Sequence, residues 1–551
     1  MVGYGRSQMA GGLALMSGFQ TLAQQAPMAI DNDQVPMIAG GRPLVNTEAL
    51  QDSIKADNLL ARAKDLYKIA ELGEDEYNHP TRVIGSEGHL GTLSYIYSAL
   101  AEFGDYYTLS NQTFPAVTGR VAEFRLVLGD QVPASTSAMG LTPPTKDKEP
   151  VHADIVLAKG TGCEPSDFPA EVAGNIAFVQ RGVCPFGTKS ENAGRAGAVS
   201  VVVYNNEAGP LHGTLGTPSP YHVATFGISD SDAAPFIEKV KNGTRVDAIA
   251  YIDAEVTTTF TDNIIAQTTE GDPNNCVMLG GHSDSVTEGP GINDDGSGSL
   301  SVLEVAKQLT KFSVNNCVRK YHSSLFQLLC SRHGGFCKKP FASLDQNEME
   351  RKIFTRASGF SWWAAEEEGL LGSDHYAATL TPEENIKIRL FMDYDMMASP
   401  NFAYQIYNAT NADSPVGSQE LRDLYVDWYK SQGLNYTFIP FDGRSDYDGF
   451  IRAGIPAGGI ATGAEGIKTK EEEAKFGGKA GDWFDECYHQ LCDDVSNLNL
   501  TAWEVNTKLI AHSVATYAAS FEGFPKRTAI KSFSGAKYEE NTKYHGSKLF
   551  I

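Results

Sequence analysis

No run of about twenty apolar residues occurs anywhere in the chain, so no membrane-spanning helix is expected. Positive charge is also short: 45 Lys and Arg stand against 68 Asp and Glu, a formal net charge of −23. Such a surface repels a phosphate backbone, which excludes nucleic acid as a partner. Compositional extremes are missing as well. Hydrophobic residues make up 42% and charged residues 21% of the 551. Those values exclude disorder and leave an ordinary globular chain, long enough for two or three domains. The acidity itself speaks to solubility more than to function.

Eight cysteines are present, at positions 163, 184, 276, 317, 330, 337, 487 and 492. N-x-[ST] triplets at Asn111, Asn242, Asn408, Asn435 and Asn499 offer glycosylation sites. Together they point to an oxidising route, and hence to a secreted or vacuolar protein. The stretch from Met9 to Phe19, after Arg6, makes a poor signal peptide because glycines and a serine interrupt it.

Residues 1–45 are rich in Gln, Met and Ala without sustained periodicity, and read as a leader or propeptide. From Glu48 to about Leu100 the apolar spacing is helical, through Leu59, Leu60, Ala63 and Leu66, then Leu93, Ile96, Tyr97 and Leu100. The Pro-, Ser-, Thr- and Lys-rich segment 134–149 reads as a linker. Beyond it, Ile176–Val179, Ala198–Val203 and Ala224–Ile228 are short apolar runs bounded by Gly and Asn, suited to buried strands. Cys163 and Cys184 flank the first run at a spacing compatible with one bridge. The stretch from about 139 to 254 resembles a protease-associated domain, through Gly162-Cys163, Asp167-Phe168-Pro169, Arg181-Gly182-Val183-Cys184 and Ala196-Gly197-Ala198.

After Ala254 strand and helix patterns alternate, as in an α/β fold with a mostly parallel sheet covered by helices. Val277–Gly280, Ser361–Ala365 and Arg389–Tyr394 read as strands. Ser299–Leu309 reads as a helix with Ser299 as its cap. Candidate metal ligands stand where those strands end. His282 and Asp284 follow the first strand, and Asp294 and Asp295 precede the helix. Glu366, Glu367 and Glu368 follow the Trp strand, and Asp395 follows the third. His489 lies between Cys487 and Cys492. Ligands collect at the carboxyl ends of strands in open α/β sheets, so these residues can converge. Two imidazoles with several carboxylates suit zinc, and a shared carboxylate would hold two ions close together. Such a pair polarises a carbonyl and lowers the pKa of water between the ions, while a nearby carboxylate outside the ligand set takes the proton.

With these residues in place, the chain resembles the M28 family of zinc aminopeptidases, in the fungal branch that carries a protease-associated insertion. The similarity runs from about residue 43 to 525. It implies an α/β zinc-peptidase fold, a mostly parallel central sheet sandwiched by helices, with an inserted β-rich protease-associated domain. The catalytic domain then comprises 46–135 and 255–525, the insertion spans 139–254, and 526–551 is a tail. The resemblance further implies two Zn2+ per chain. His282, Asp294 and Asp395 would hold one ion, and Asp294 would bridge to a second held by Glu367 and His489. Glu366 is the implied general base, Asp284 orients His282, and Tyr488 donates to the tetrahedral oxyanion. Arg444 aligns with a residue near the substrate's amino-terminal end, or else it forms a plain salt bridge to Asp442 or Asp446. Cys487–Cys492 matches a family disulfide, and Cys276 and Cys317 are expected to pair. The implied partners are peptide or protein substrates, met by a monomer.

Other readings have less support. A glutamate-releasing carboxypeptidase shares the fold but needs a dimerisation domain, and only about 25 residues follow Phe524. A glutaminyl cyclase lacks the inserted domain. A catalytically inactive binding protein would not need the full ligand set and Glu366.

One segment departs from the family pattern, in which Cys317-Val318-Arg319 continues directly into Phe360-Ser361-Trp362-Trp363. Here residues 320–359 intervene, carrying Cys330, Cys337 and the basic tract Glu350–Arg356. A loop this long inside a central strand is uncommon. It reads as a translated intron or gene-model error, or else as a surface loop with its own disulfide, and the transcript sequence decides between them.

Overall fold

The computed structural model describes residues 41–206, 209, 211, 213–318 and 359–527. The leader up to residue 40, Cys330 and Cys337, and the tail beyond Arg527 lie outside the described residues. Residues 43–45, counted in the expected leader, are attached to the fold, since the Val45 N–H donates to Ser313 O and the Ser313 N–H to Pro43 O.

Thirteen strands are formed among the described residues: β1 (Tyr107–Leu128), β2 (Ser137–Ala138), β3 (Val151–Leu157), β4 (Ile176–Gln180), β5 (Ser200–Tyr204), β6 (Thr225–Ile228), β7 (Asp247–Thr268), β8 (Cys276–His282), β9 (Phe360–Trp363), β10 (Ile388–Tyr394), β11 (Gln405–Tyr407), β12 (Thr437–Ile439) and β13 (Ala457–Ala461). In the larger unit the strand order is β12-β11-β13-β10-β8-β9-β7. The pairs β13–β10, β10–β8 and β8–β9 at its centre are parallel, while β9–β7 and β11–β13 are antiparallel. β8, β9 and β10 are buried along their whole length; their sequences are largely apolar, and Ser361, Arg389 and Asp393 are buried with them.

Helices cover both faces. On one side lie Ala56–Ala70, Gly296–Leu309 and Leu500–Ala519. Among the residues of Gly296–Leu309, Val302, Leu303, Val305 and Leu309 are fully buried, each burial contributing about 1.5–3 kcal/mol. On the other side Phe450 of the helix Tyr447–Arg452 stacks on Phe391 with centroids 3.9 Å apart, beside Trp363. The expected cap at Ser299 is displaced. The helix begins at Gly296, and Asp295 Oδ1 accepts from the Gly298 N–H at 2.8 Å. The Ser299 hydroxyl instead donates to the His282 carbonyl, tying the helix to the end of β8.

A second unit stacks β3, β4, β5 and β6 in parallel, with β2 antiparallel at its edge and its own apolar core. The two units share one ribbon. β1 and β7 pair antiparallel over 22 residues each; one end lies in the larger sheet and the other packs Leu126, Leu128, Ala248 and Ala250 into the second core. Polar residues in 134–149 suggest a loose linker, but their hydroxyls are used. Thr142 Oγ1 accepts from the Thr225 N–H, and the Thr145 hydroxyl donates to Ile252 O.

The residues on either side of the intervening segment occupy adjacent places in the sheet. The Val277 N–H donates to Cys317 O, and the Leu279 N–H, two residues along β8, donates to Gly359 O. Across the strand, Thr268 donates to Val318 O while Ala266 pairs with Phe360. Val318, Gly359 and Phe360 therefore fill three consecutive places, and the disulfide Cys276–Cys317 fastens the first end to β8. A chain joining Arg319 directly to Phe360 should fold with a thermal midpoint no lower than that of the full chain. It sheds a loop-closure cost on the order of 3 kcal/mol. Circular dichroism melts of the two chains check this, and a shortened chain that fails to fold would show that the segment is structurally required.

Candidate metal centre

Each candidate ligand is placed by a strand exit or a capped turn. His282 ends β8, Asp395 follows β10 directly, and Glu366 and Glu367 follow β9 after a sharp reversal at Ala365. Ala365, Met396 and His489 have φ of 61°, 54° and 57°, a left-handed backbone that non-glycine residues adopt only when their surroundings impose it. His489 sits in a small ring closed by the Cys487–Cys492 disulfide. The predicted Cys163–Cys184 bridge is also formed.

The ligand atoms converge around Asp294. Its Oδ1 lies 3.2 Å from His282 Nε2, and its Oδ2 lies 3.3 Å from His489 Nε2. His282 Nε2 is 3.8 Å from Asp395 Oδ1, and His489 Nε2 is 3.1 Å from Glu367 Oε2. Two triads result, His282–Asp294–Asp395 and Asp294–Glu367–His489, whose facing atoms all lie within 4.8 Å of one another. Glu366 belongs to neither, although its Oε2 approaches His282 Nε2 to 3.9 Å. Buried Glu367 Oε1 and Asp395 Oδ1 have no hydrogen-bond partner among the described residues, as carboxylates awaiting a cation would. Nitrogen and oxygen donors in groups of three, with open positions, fit zinc.

Three buried groups that sequence reasoning did not single out as supports hold these residues. Asp295 accepts from His282 N–H with Oδ2 and from Met396 N–H with Oδ1, both at 3.1 Å, while also capping the helix. Asp493 accepts from the Asn293 N–H at 2.9 Å and the Asp294 N–H at 3.0 Å, tying the disulfide loop to the bridging residue. The fully buried Arg82 guanidinium donates to the carbonyls of Ser283, Pro290 and Gly291. No local pattern in the sequence marks these partners, because each contact joins distant segments. Asp284 was expected, and its carboxylate accepts from the Glu366 and Glu367 N–H groups at 3.3 Å and faces His282 Nδ1 at 3.7 Å.

The electrostatics follow from crowding acids out of water. Burial opposes the charged form of both imidazoles, yet Glu366 acting on His282 and Glu367 acting on His489 raise both well above the ordinary histidine range. Burial, together with Glu367, Asp446 and Asp395, pushes Glu366 far up. Asp395 is pushed up to about 6 by burial and Asp294, and Asp393 to about 7 by burial and Asp395. Burial would raise Asp294 too, but the two imidazoles it joins hold it below the usual range.

A cavity of about 280 Å³ opens beside the triads. Asp294, Glu366, Glu367 and Asp395 form one wall; Met396, Tyr407, Ile439, Phe484 and Tyr488 form much of the rest. Tyr488 stacks on His489 with centroids 3.8 Å apart, and burial with Asp294 nearby keeps its phenol protonated. Arg444 also lines the cavity, but it pairs with neither Asp442 nor Asp446. Its Nη2 bonds Glu465 Oε1 at 2.8 Å, a partner on a loop that sequence spacing could not bring into view. Asn111, Asn242, Asn408 and Asn435 are exposed, whereas Asn499 is half-buried and caps the helix Leu500–Ala519.

The model of peptidase family M28 matches residues 263–514, and the PA domain model matches residues 151–236. The chain is 48% identical to aminopeptidase Y of Saccharomyces cerevisiae over 500 residues, covering 89% of this chain and 83% of that protein. It is 39% identical to leucine aminopeptidase 2 of Trichophyton equinum over 490 residues, covering 88% and 89%. An aminopeptidase from Aneurinibacillus sp. strain AM-1 superposes with a TM-score of 0.65 at 22% identity, covering 88% of this chain and 98% of that one. A zinc aminopeptidase from Bacillus subtilis gives 0.56 at 21%, covering 87% and 97%. These two likenesses establish the α/β fold.

Metal-free protein, prepared with a chelator, should lose thermal stability as pH rises. Folded Asp395 and Asp393 titrate near 6 and 7, above the unfolded carboxylate value of about 3.9. The folded state therefore holds more protons through that window, and stability falls as pH climbs through it. The raised imidazoles act in the same direction. Melts of chelated protein should show a midpoint lower at about pH 7.5 than at about pH 5; a flat or rising midpoint would contradict the assignment.

Proposed function

Because the chain belongs to peptidase family M28, we propose that it is an aminopeptidase that removes N-terminal residues from peptides with two zinc ions per chain. One ion is assigned to His282, Asp294 and Asp395, and the other to Asp294, Glu367 and His489. The observation that carries the reading is the division of labour among adjacent acids. Asp294 turns one oxygen to each imidazole, while buried Glu366 stands beside both triads and joins neither. The named relatives are an aminopeptidase Y and a leucine aminopeptidase 2, which supports the same activity here.

Bound zinc would supply Lewis acidity, polarising the scissile carbonyl and bringing the pKa of water at the site toward neutrality. The chain's residues do the rest. Glu366 takes the proton from the attacking water and returns it to the leaving amine. The Tyr488 hydroxyl, held against His489, donates to the oxyanion that develops on the carbonyl. Asp284 keeps the Glu366–Glu367 backbone and the His282 ring oriented. Walls built from Met396, Tyr407, Ile439 and Phe484 favour a medium-sized apolar first side chain. The three disulfides and four exposed sequon asparagines among the described residues favour a secreted or vacuolar setting. No described helix is long and apolar enough to cross a membrane.

Glu366→Gln should retain both zinc ions while kcat toward leucyl-p-nitroanilide falls by about three orders of magnitude. Metal content by mass spectrometry and steady-state kinetics check the two halves. A variant with kcat within about tenfold of the parent would remove Glu366 from the role of base.

A further inference from the structure

Besides Tyr488 and the carboxylates on the metal side, the cavity presents three charged side chains, Asp442, Arg444 and Glu465. Glu465 is the most enclosed partner of Arg444. Its side chain is 8% exposed against 32% for Arg444, and their 2.8 Å contact spans two different loops. The loop bearing Glu465 is fastened at both sides of that residue: the Asp485 N–H donates to Ala464 O, and the Phe484 N–H donates to Gly466 O, both at 3.0 Å. Further back, the Thr462 N–H donates to Met396 O and the Ser399 hydroxyl to Gly463 O. Glu465 is thus anchored on a rigid rim. Arg444 is carried by a tight turn, in which the Gly443 N–H donates to the Tyr447 hydroxyl and Ser445 donates to Asp395 Oδ2.

A guanidinium on a long, flexible stem takes its place from its partners. Without Glu465, Arg444 has Asp442 on its own loop and, lining the same cavity, Asp294, Glu366, Glu367 and Asp395. Those four must face the ions and the ammonium of a substrate, so a loose cation drawn to them would compete with both. The enclosed Glu465 carboxylate, paired with the guanidinium at 2.8 Å, prevents this. We propose that Glu465 is a positioning residue for the aminopeptidase reaction: it fixes Arg444 in the cavity wall that also carries Tyr488, where Arg444 meets the substrate. The proposal rests on the function assigned above and extends it to a residue that touches neither metal nor scissile bond.

A double-mutant cycle tests it on the zinc-loaded enzyme with leucyl-p-nitroanilide. Glu465→Ala should raise KM about tenfold and change kcat by less than about threefold, the mark of lost ground-state positioning. Arg444→Ala should raise KM at least as much, and the double variant should be no worse than Arg444→Ala alone. Glu465→Gln, which keeps a hydrogen-bond acceptor, should rescue part of the loss. Zinc content and thermal midpoint should match the parent in all of them. A Glu465→Ala KM within about twofold of the parent, or a double variant showing the full product of the single effects, would overturn the role. If Glu465→Ala does not fold, Glu465→Gln in both backgrounds completes the same cycle. An inert parent enzyme with zinc bound would overturn the function reading itself, and this proposal with it.

Discussion

Buried negative charge around Asp294 is the constraint on which the rest of the structure depends. Asp284, Asp294, Asp295, Glu366, Asp393 and Asp446 are all nearly inaccessible to water, and Glu367 and Asp395 stand beside them. The chain sets against them two imidazoles and the guanidinium of Arg82, whose donors are spent on carbonyls. Isolated ionised carboxylates do not survive burial; they neutralise or find cations. The upward shifts of Glu366, Asp393 and Asp395 express that tension within the protein alone. Divalent ions held by the two triads would relieve it, and the same ions are what the proposed hydrolysis needs.

Placing so many acids together requires a frame that does not yield. Parallel β8, β9 and β10 deliver their ends to one edge of the sheet, and a helix whose first turn is capped by Asp295 packs against them. Asp295 is at once a cap, a support for the His282 backbone and a support for Met396. Its loss would affect both sides of one triad. On the other side Asp493 and the Cys487–Cys492 ring hold His489 against Asp294. Binding and chemistry are thus drawn from one preorganised set of backbone contacts, which is what electrostatic catalysis requires.

Much of this was legible in the sequence because strands and their exits announce themselves. Short, largely apolar stretches at 277–280 and 389–394 marked strands, and acids or a histidine just after them marked the edge where ligands gather. The separate contributions expected of Glu366 and Glu367 rest on family resemblance; in the structure Glu367 joins a triad and Glu366 joins neither. What could not be read was long-range. Asp493, Arg82 and Glu465 act across segments remote in sequence, and nothing in their neighbours predicts the partner. Ser299 is not the cap because Asp295, four residues earlier, takes that place, and an acid in a cluster of candidate ligands does not announce itself as a cap. The polar segment 134–149 looked loose because composition does not reveal which hydroxyls are used.

Val318 and Gly359, which flank the intervening segment, adjoin β9, and β9 leads on to Glu366 and the candidate metal centre. Adjacent places for Val318 and Gly359 keep the register of β9 against β8, Leu279 facing Phe360 and His282 facing Trp363, so the exit carrying the acids is preserved. The central claim, that Asp294 joins two ions, is tested most directly by anomalous diffraction at the zinc edge from crystals of the zinc-loaded protein. The account predicts two peaks, one on each side of Asp294, each about 2.0–2.2 Å from one of its carboxylate oxygens. A single peak, or two peaks that do not share Asp294, would contradict it.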